Sequence, residues 1–210
     1  MKLSFSILDK SAAIEQKILK ALTQEIKKTF NAKNTISEIQ NLVIGAIQTS
    51  PEYQSMVGGI LQAELGIPDP VSRLSRLLDI WIANTRVSFS APVASGSKIK
   101  GQLKIEMIKA DLSDVNGSDV SFVIDANTGK SVYWLEWLTL AGDKTIIKNY
   151  DVILGPNRRS RTGFAIMRQV AGGRWKVPSE FTGTINNNWI TRSIDSVADK
   201  IENLLERAFD

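Results

Sequence analysis

The chain has 210 residues, of which 43% are hydrophobic, and its 26 basic and 22 acidic side chains leave a net charge of +4. That length holds one large domain or two small ones, and the apolar fraction suffices for a globular core. The absence of cysteine and histidine excludes disulfides, thiolate zinc sites, cysteine nucleophiles, a Ser-His-Asp triad and the commonest general base.

The N-terminus, MKLSFSILDK, becomes charged too soon for a secretory signal, and no run of about 18 apolar residues follows it. The sequence thus predicts a soluble, intracellular chain with no membrane contact. Ile14, Ile18, Leu22 and Ile26 recur every four residues and predict an amphipathic helix from Asp9 to Phe30. In TISEIQNLVIGAIQ, Thr35 with Glu38 forms a capping-box pattern, and Ile36, Ile39, Leu42, Val43 and Ile47 form an apolar face. Ser50 is placed to cap a third helix opened by Pro51 and closed at Gly66. Asp69 and Pro70 repeat the device before a stripe of Val71, Leu74, Leu77, Leu78 and Trp81.

From residue 85 the period changes. TRVSFS alternates, and KIKGQLKIEMIK does so more clearly, with Ile99, Leu103, Ile105 and Met107 on one face and Gly101 marking a bulge or close approach. DVSFVID predicts a further strand and NTGK at 127–130 a turn. SVYWLEWLTLAG fits a short helix capped by Ser131 and stopped at Gly142, although its apolar residues also fit a buried strand. TIIKNYDVIL and FAIMRQV predict two strands, with turn residues GPN and TG bounding the arginine stretch between them. AGG at 171–173 reads as a hairpin turn. Asn188 caps a last helix whose apolar stripe runs through Ile190, Ile194, Val197, Ile201, Leu204 and Ala208.

The order of elements predicts an α+β fold of N-terminal helices, a small antiparallel β-sheet with a long hairpin, and a C-terminal amphipathic helix. One domain over residues 1–210 is expected, with SAPVASGS the weakest boundary between sub-lobes 1–90 and 98–210.

The charge is concentrated. Between Val152 and Ser179 there is no acid, and Arg158, Arg159, Arg161, Arg168, Arg174 and Lys176 give +6, leaving −2 for the remainder. Such a segment fits an acidic protein partner or phosphates; as a solvated loop it can also pair with acids of its own fold. Trp175, between Arg174 and Lys176, can stack on a base or anchor a protein interface, and the interface is favoured because one aromatic makes no stacking platform. The partner-facing or DNA-facing candidates are therefore Arg158, Arg159, Arg161, Arg174, Trp175 and Lys176. Phosphate loops of the GxxxxGK[ST] or GxGxxG type are absent. Glu106 and Lys109, with Asp111, Asp114 or Asp125, could imitate a magnesium nuclease set, but the spacing is unspecific. No cofactor is expected.

The stretch WLEWLTLAGDKTIIKNYDVILGPNRRSRTGFAIM, followed by WKVPSEFTGTINNNWITRSIDSV, resembles structural proteins of tailed bacteriophages, of the neck and tail-completion class. The likeness covers residues 131–195; the N-terminal helices match only in kind. It implies a non-enzymatic virion protein that forms a ring with other copies of itself between head connector and tail. Its partners would be adjoining connector and tail proteins, with non-specific contact to the genome DNA passing through. It also implies residence in the virion, and in the host cytoplasm during assembly. The class has no shared active-site residues to carry over. Under this resemblance the arginine hairpin would dock on carboxylates of a neighbour or face DNA in the lumen. Docking is preferred, because tight phosphate binding would oppose sliding DNA.

Overall fold

The computed structural model describes residues 11–32, 34–89, 93–95, 98–100, 103–106, 112–124, 129–141 and 144–209. Among the described residues five helices come first: α1 (Ser11–Ala32), α2 (Thr35–Thr49), α3 (Pro51–Gly58), α4 (Ile60–Leu65) and α5 (Pro70–Asn84). Ser50 caps α3 as expected, its Oγ accepting from the Tyr53 amide at 3.2 Å. The helix expected to run from Pro51 to Gly66 is broken at Gly59, where the backbone leaves helical angles and a Cβ would stand 2.9 Å from Ser55 Cα. Ser55 Oγ accepts from the Leu61 amide across the break, and Gly66 closes α4 in the left-handed conformation.

Two expected caps are not made. Asn34, not Thr35, occupies the N-cap of α2, and Thr35 is the first helical residue. Asp69 does precede α5, but its side chain makes no cap bond. Both N-cap residues have left-handed backbones, whereas a capping side chain reaches the first-turn amides from extended angles. Of the α5 stripe, Leu74, Leu77, Leu78 and Trp81 are buried, while Val71, in the first turn, is exposed.

The second half of the fold follows. β1 (Arg86–Phe89) pairs antiparallel with β4 (Leu103–Glu106), and β2 (Val93–Ser95) with β3 (Lys98–Lys100). The strand expected over KIKGQLKIEMIK is therefore two strands with different partners; Gly101 and Met107 lie outside the described residues. The strand expected over DVSFVID shrinks to β5 (Val123–Ile124), which follows α6 (Ser113–Asn116) and pairs with β6 (Ser131–Val132). Its first residues turn instead. Ser121 Oγ bonds back to the carbonyls of Asn116 and Ser118, and Arg73 of α5 donates to the carbonyls of Asp119, Val120 and Phe122. Of the NTGK turn, Asn127 and Thr128 lie outside the described residues, and Gly129 has a positive φ.

α7 (Trp134–Thr139) is the expected short helix, without the Ser131 cap, because Ser131 is taken into β6. β7 (Ile147–Leu154) and β8 (Ala165–Trp175) form the long hairpin. α8 (Trp189–Asp195) and α9 (Ala198–Phe209) end the chain, and Asn188 makes a full capping box with Thr191. The single last helix of the sequence pattern is interrupted at Ser196 and Val197, with Val197 buried. The fold is α+β; among the described residues its strands form four separate two-stranded antiparallel ladders rather than one sheet.

The core joins the helical ends to the middle. Trp81, Trp134 and Trp189 are fully buried among Leu61, Ile67, Leu74, Leu135 and Leu138. Trp81 and Trp189 meet edge to face, with ring centroids 5.6 Å apart, a geometry worth about 0.5–1.5 kcal/mol beyond the area buried. Trp189 Nε1 donates to Ser50 Oγ at 2.8 Å, and Trp134 Nε1 to the Val120 carbonyl at 3.0 Å. Arg192 reaches from α8 to the buried carboxylate of Glu52 on α3, and also bonds the Thr182 carbonyl. Among the described residues no helix is long and apolar enough to cross a membrane.

Candidate interaction surface

The hairpin has an anchored base and an exposed far end. At the base Ile147 pairs with Trp175. Trp175 is 5% exposed, its ring lies 5.6 Å from that of Trp137, and its Nε1 donates to Glu64 at 3.3 Å. This corrects the sequence reading of Trp175 as a partner-facing or base-stacking residue: it holds the hairpin to α4 and α7. Arg174 and Lys176 on either side of it are exposed, as strand alternation requires of the neighbours of a buried residue.

The ladder then shifts register. Lys148 pairs with Arg174 and Tyr150 with Gln169, so residues 170–173 oppose Asn149 alone. The glycines read as a hairpin turn are thus a large bulge inside β8. Asn149 and Gly172 carry positive φ. A Cβ on Gly173 would stand 2.7 Å from Asp151 Oδ1 and 3.0 Å from the Tyr150 carbonyl, so the two backbones need glycine there to approach.

Beyond the bulge, pairing resumes up to Leu154 and Ala165, and the connecting loop is closed by its own bonds. The Gly155 amide donates to the Phe164 carbonyl at 2.7 Å and the Asn157 amide to the Gly163 carbonyl at 3.1 Å. Asn157 Oδ1 accepts from the Arg159 amide, and Ser160 Oγ from the Ala165 amide. Gly155 and Gly163 supply the two positive-φ positions this path requires. The loop is a preformed platform, which lowers the ordering cost of binding with it.

Arg158, Arg159 and Arg161 stand exposed on this platform, with Arg168 exposed on β8. Arg161 Nη1 donates to the Gly66 carbonyl at the C-terminal end of α4 at 3.3 Å, where a cation suits the helix dipole. Among the described residues, Arg158, Arg159, Arg168 and Arg174 make no ion pair. The structure separates the residues grouped by sequence. Arg158, Arg159 and Arg161 lie at the tip, whereas Arg174 and Lys176 lie at the base, about seven strand steps or ~24 Å away. At the base Arg174 sits directly across from Lys148, a like-charge pair that disfavours the ladder unless an anion bridges it.

Sequence reasoning missed the apolar half of the surface. Leu154 is 53% and Phe164 59% exposed, and Ile153 and Met167 are also exposed. The flanking apolar runs were visible, but a strand interior was the expected reason for them. A groove of about 720 Å³ separates the hairpin from α4, lined among others by Glu64, Trp137, Val152, Arg159, Arg161 and Arg168. Desolvation raises the Glu64 carboxyl above its ordinary value; the Trp175 hydrogen bond opposes this shift and the Glu180 charge adds to it.

Of the residues weighed for a magnesium set, Glu106 is exposed and pairs with Lys104 at 2.6 Å, Asp114 is half-buried on α6, and Lys109, Asp111 and Asp125 lie outside the described residues. Among the described residues no three Asp or Glu side chains converge to hold a metal ion. No family model, no curated protein and no solved structure matches the chain.

Proposed function

We propose that this chain is a non-enzymatic structural subunit of a phage neck or tail, which assembles into a ring through the far end of the β7–β8 hairpin. The observation that carries the proposal is a self-braced loop bearing Arg158 and Arg159 without ion-pair partners among the described residues, beside exposed Leu154 and Phe164. Apolar anchors rimmed by arginine characterise protein interfaces. A surface built only to hold phosphates has no use for exposed leucine and phenylalanine. The resemblance of residues 131–195 to neck and tail-completion proteins supplies the biological setting. Ring formation asks for two different faces on each subunit, and a hairpin tip is suited to be one of them.

A second reading, nucleic-acid binding along residues 152–179, draws on the same arginines. Burial of Trp175 removes its stacking residue, and the remaining contact would be to phosphates alone.

Light scattering and negative-stain microscopy test the proposal. Wild type, alone or with an adjoining virion protein, is expected as a ring several times the 23.2 kDa of one chain. Changing Arg158, Arg159 and Arg161 to alanine is expected to keep the circular-dichroism spectrum and abolish the ring. An intact ring in the triple variant would remove the hairpin from the interface. Wild-type affinity for DNA that falls steeply with salt, without any ring, would favour the second reading.

A further inference from the structure

We infer that the hairpin tip of one subunit docks on the α9 and α1 face of a second copy of the same chain. This rests on the ring reading above and names the acceptor surface it lacks. Asp199, Glu202 and Glu206 are all exposed on α9. Their spacing puts the three carboxylates on one helix face, opposite the buried or half-buried Ile201, Leu204 and Leu205. They span about 10 Å along the helix at ~1.5 Å per residue, a length that two adjacent arginines can cover. α9 packs against α1, and α1 presents Ile18, 55% exposed, and Leu22, 37% exposed.

The acceptor therefore carries an acidic row on α9, and α1, which α9 contacts, adds exposed apolar side chains. The donor carries Arg158 and Arg159 next to Leu154 and Phe164. Guanidinium forks bind carboxylates bidentately, and the apolar residues on both sides would leave water together. The segment 152–179 holds +6 with no acid of its own, so its counter-charges lie outside it. The hairpin rests on α4, while α9 rests on α2 and α1. Donor and acceptor are thus different surfaces, as a head-to-tail contact requires.

Charge reversal on each side provides the test, followed by sedimentation velocity over a range of concentrations. Arg158→Glu with Arg159→Glu, and separately Asp199→Lys with Glu202→Lys, are each expected to weaken self-association at least about tenfold, since like charges now face each other. A chain carrying all four substitutions is expected to associate again. Loss with the hairpin pair but not with the α9 pair overturns the acceptor assignment and leaves the ring reading standing. Loss with both and no recovery in the combined chain also overturns the assignment. A wild type that stays at 23.2 kDa throughout, both alone and with an adjoining virion protein, overturns the assignment and the ring reading together.

Discussion

Replacing Trp175 with alanine should unfold the protein far more readily than replacing Arg158 and Arg159 together, although all three lie on one hairpin. Trp175 is 5% exposed, its ring packs tilted against that of Trp137, and its Nε1 donates to Glu64. A tryptophan buries roughly 200 Å², which at about 25 cal/mol per Å² is ~5 kcal/mol; large-to-small changes of aromatic residues in cores cost about 3–5 kcal/mol. Arg158 and Arg159 are exposed and make no ion pair among the described residues, so their loss should stay within about ±0.5 kcal/mol. Urea unfolding followed by fluorescence and circular dichroism gives both values, provided the slope with denaturant is unchanged. A cost above ~2 kcal/mol for the arginine pair would mean that the tip is braced by its own subunit. A cost below ~1 kcal/mol for Trp175→Ala would mean that the base does not anchor the hairpin.

Four further outcomes follow from the packing. Glu64 has its carboxyl raised above the ordinary 4.5, chiefly by desolvation; protonation therefore stabilises the fold below that ordinary value, and this contribution is lost as pH rises through the raised one. Glu64→Gln should flatten that part of a stability-versus-pH curve, and an unchanged curve would deny the desolvation. Gly183→Ala places a Cβ 2.6 Å from the Leu138 carbonyl and 2.7 Å from Asn188 Cβ, so it should cost about 1–3 kcal/mol. Gly45→Ala, within α2 and with nothing within 4 Å of its Cβ, should gain about 0.5–1 kcal/mol, and thermal melts rank the two. Glu52→Gln leaves Arg192 without its carboxylate; because the Glu52 side chain is 7% and that of Arg192 37% exposed, the cost should be near 3 kcal/mol, the low end for a broken buried pair. A loss under ~1 kcal/mol by the same melts would place that pair in water.

What could be read from the sequence was what is decided locally. Ser50 before Pro51, and Asn188 before the last helices, announce caps because the bond lies within three residues. Thr35 and Asp69 have the same composition signal, but a cap also needs an extended backbone, and the left-handed angles at Asn34 and Asp69 come from how the chain enters each helix. The order of helices, strands and helices followed from period alone. Pairing did not, since KIKGQLKIEMIK carries one alternation but serves two ladders. Glycines at 172 and 173 signal a departure from regular backbone without saying whether it is a turn or a bulge. Trp175 was legible in part: between Arg174 and Lys176 on a strand, alternation alone sends it to the face opposite theirs. Leu154 and Phe164 were not legible, because an apolar residue at a strand end looks the same whether it meets its own core or a partner's.

A chain without cysteine accepts a single reporter thiol cleanly. Pro156→Cys puts one at the exposed tip while keeping Arg158 and Arg159, and its rate of reaction with a maleimide, measured across a dilution series in which self-association is followed in parallel, asks directly whether the tip enters a contact. The rate is expected to fall as the assembled fraction rises, while a thiol at exposed Gln48 on α2 keeps a constant rate. A tip thiol that reacts equally fast in the assembled and dissociated protein would contradict docking through the tip.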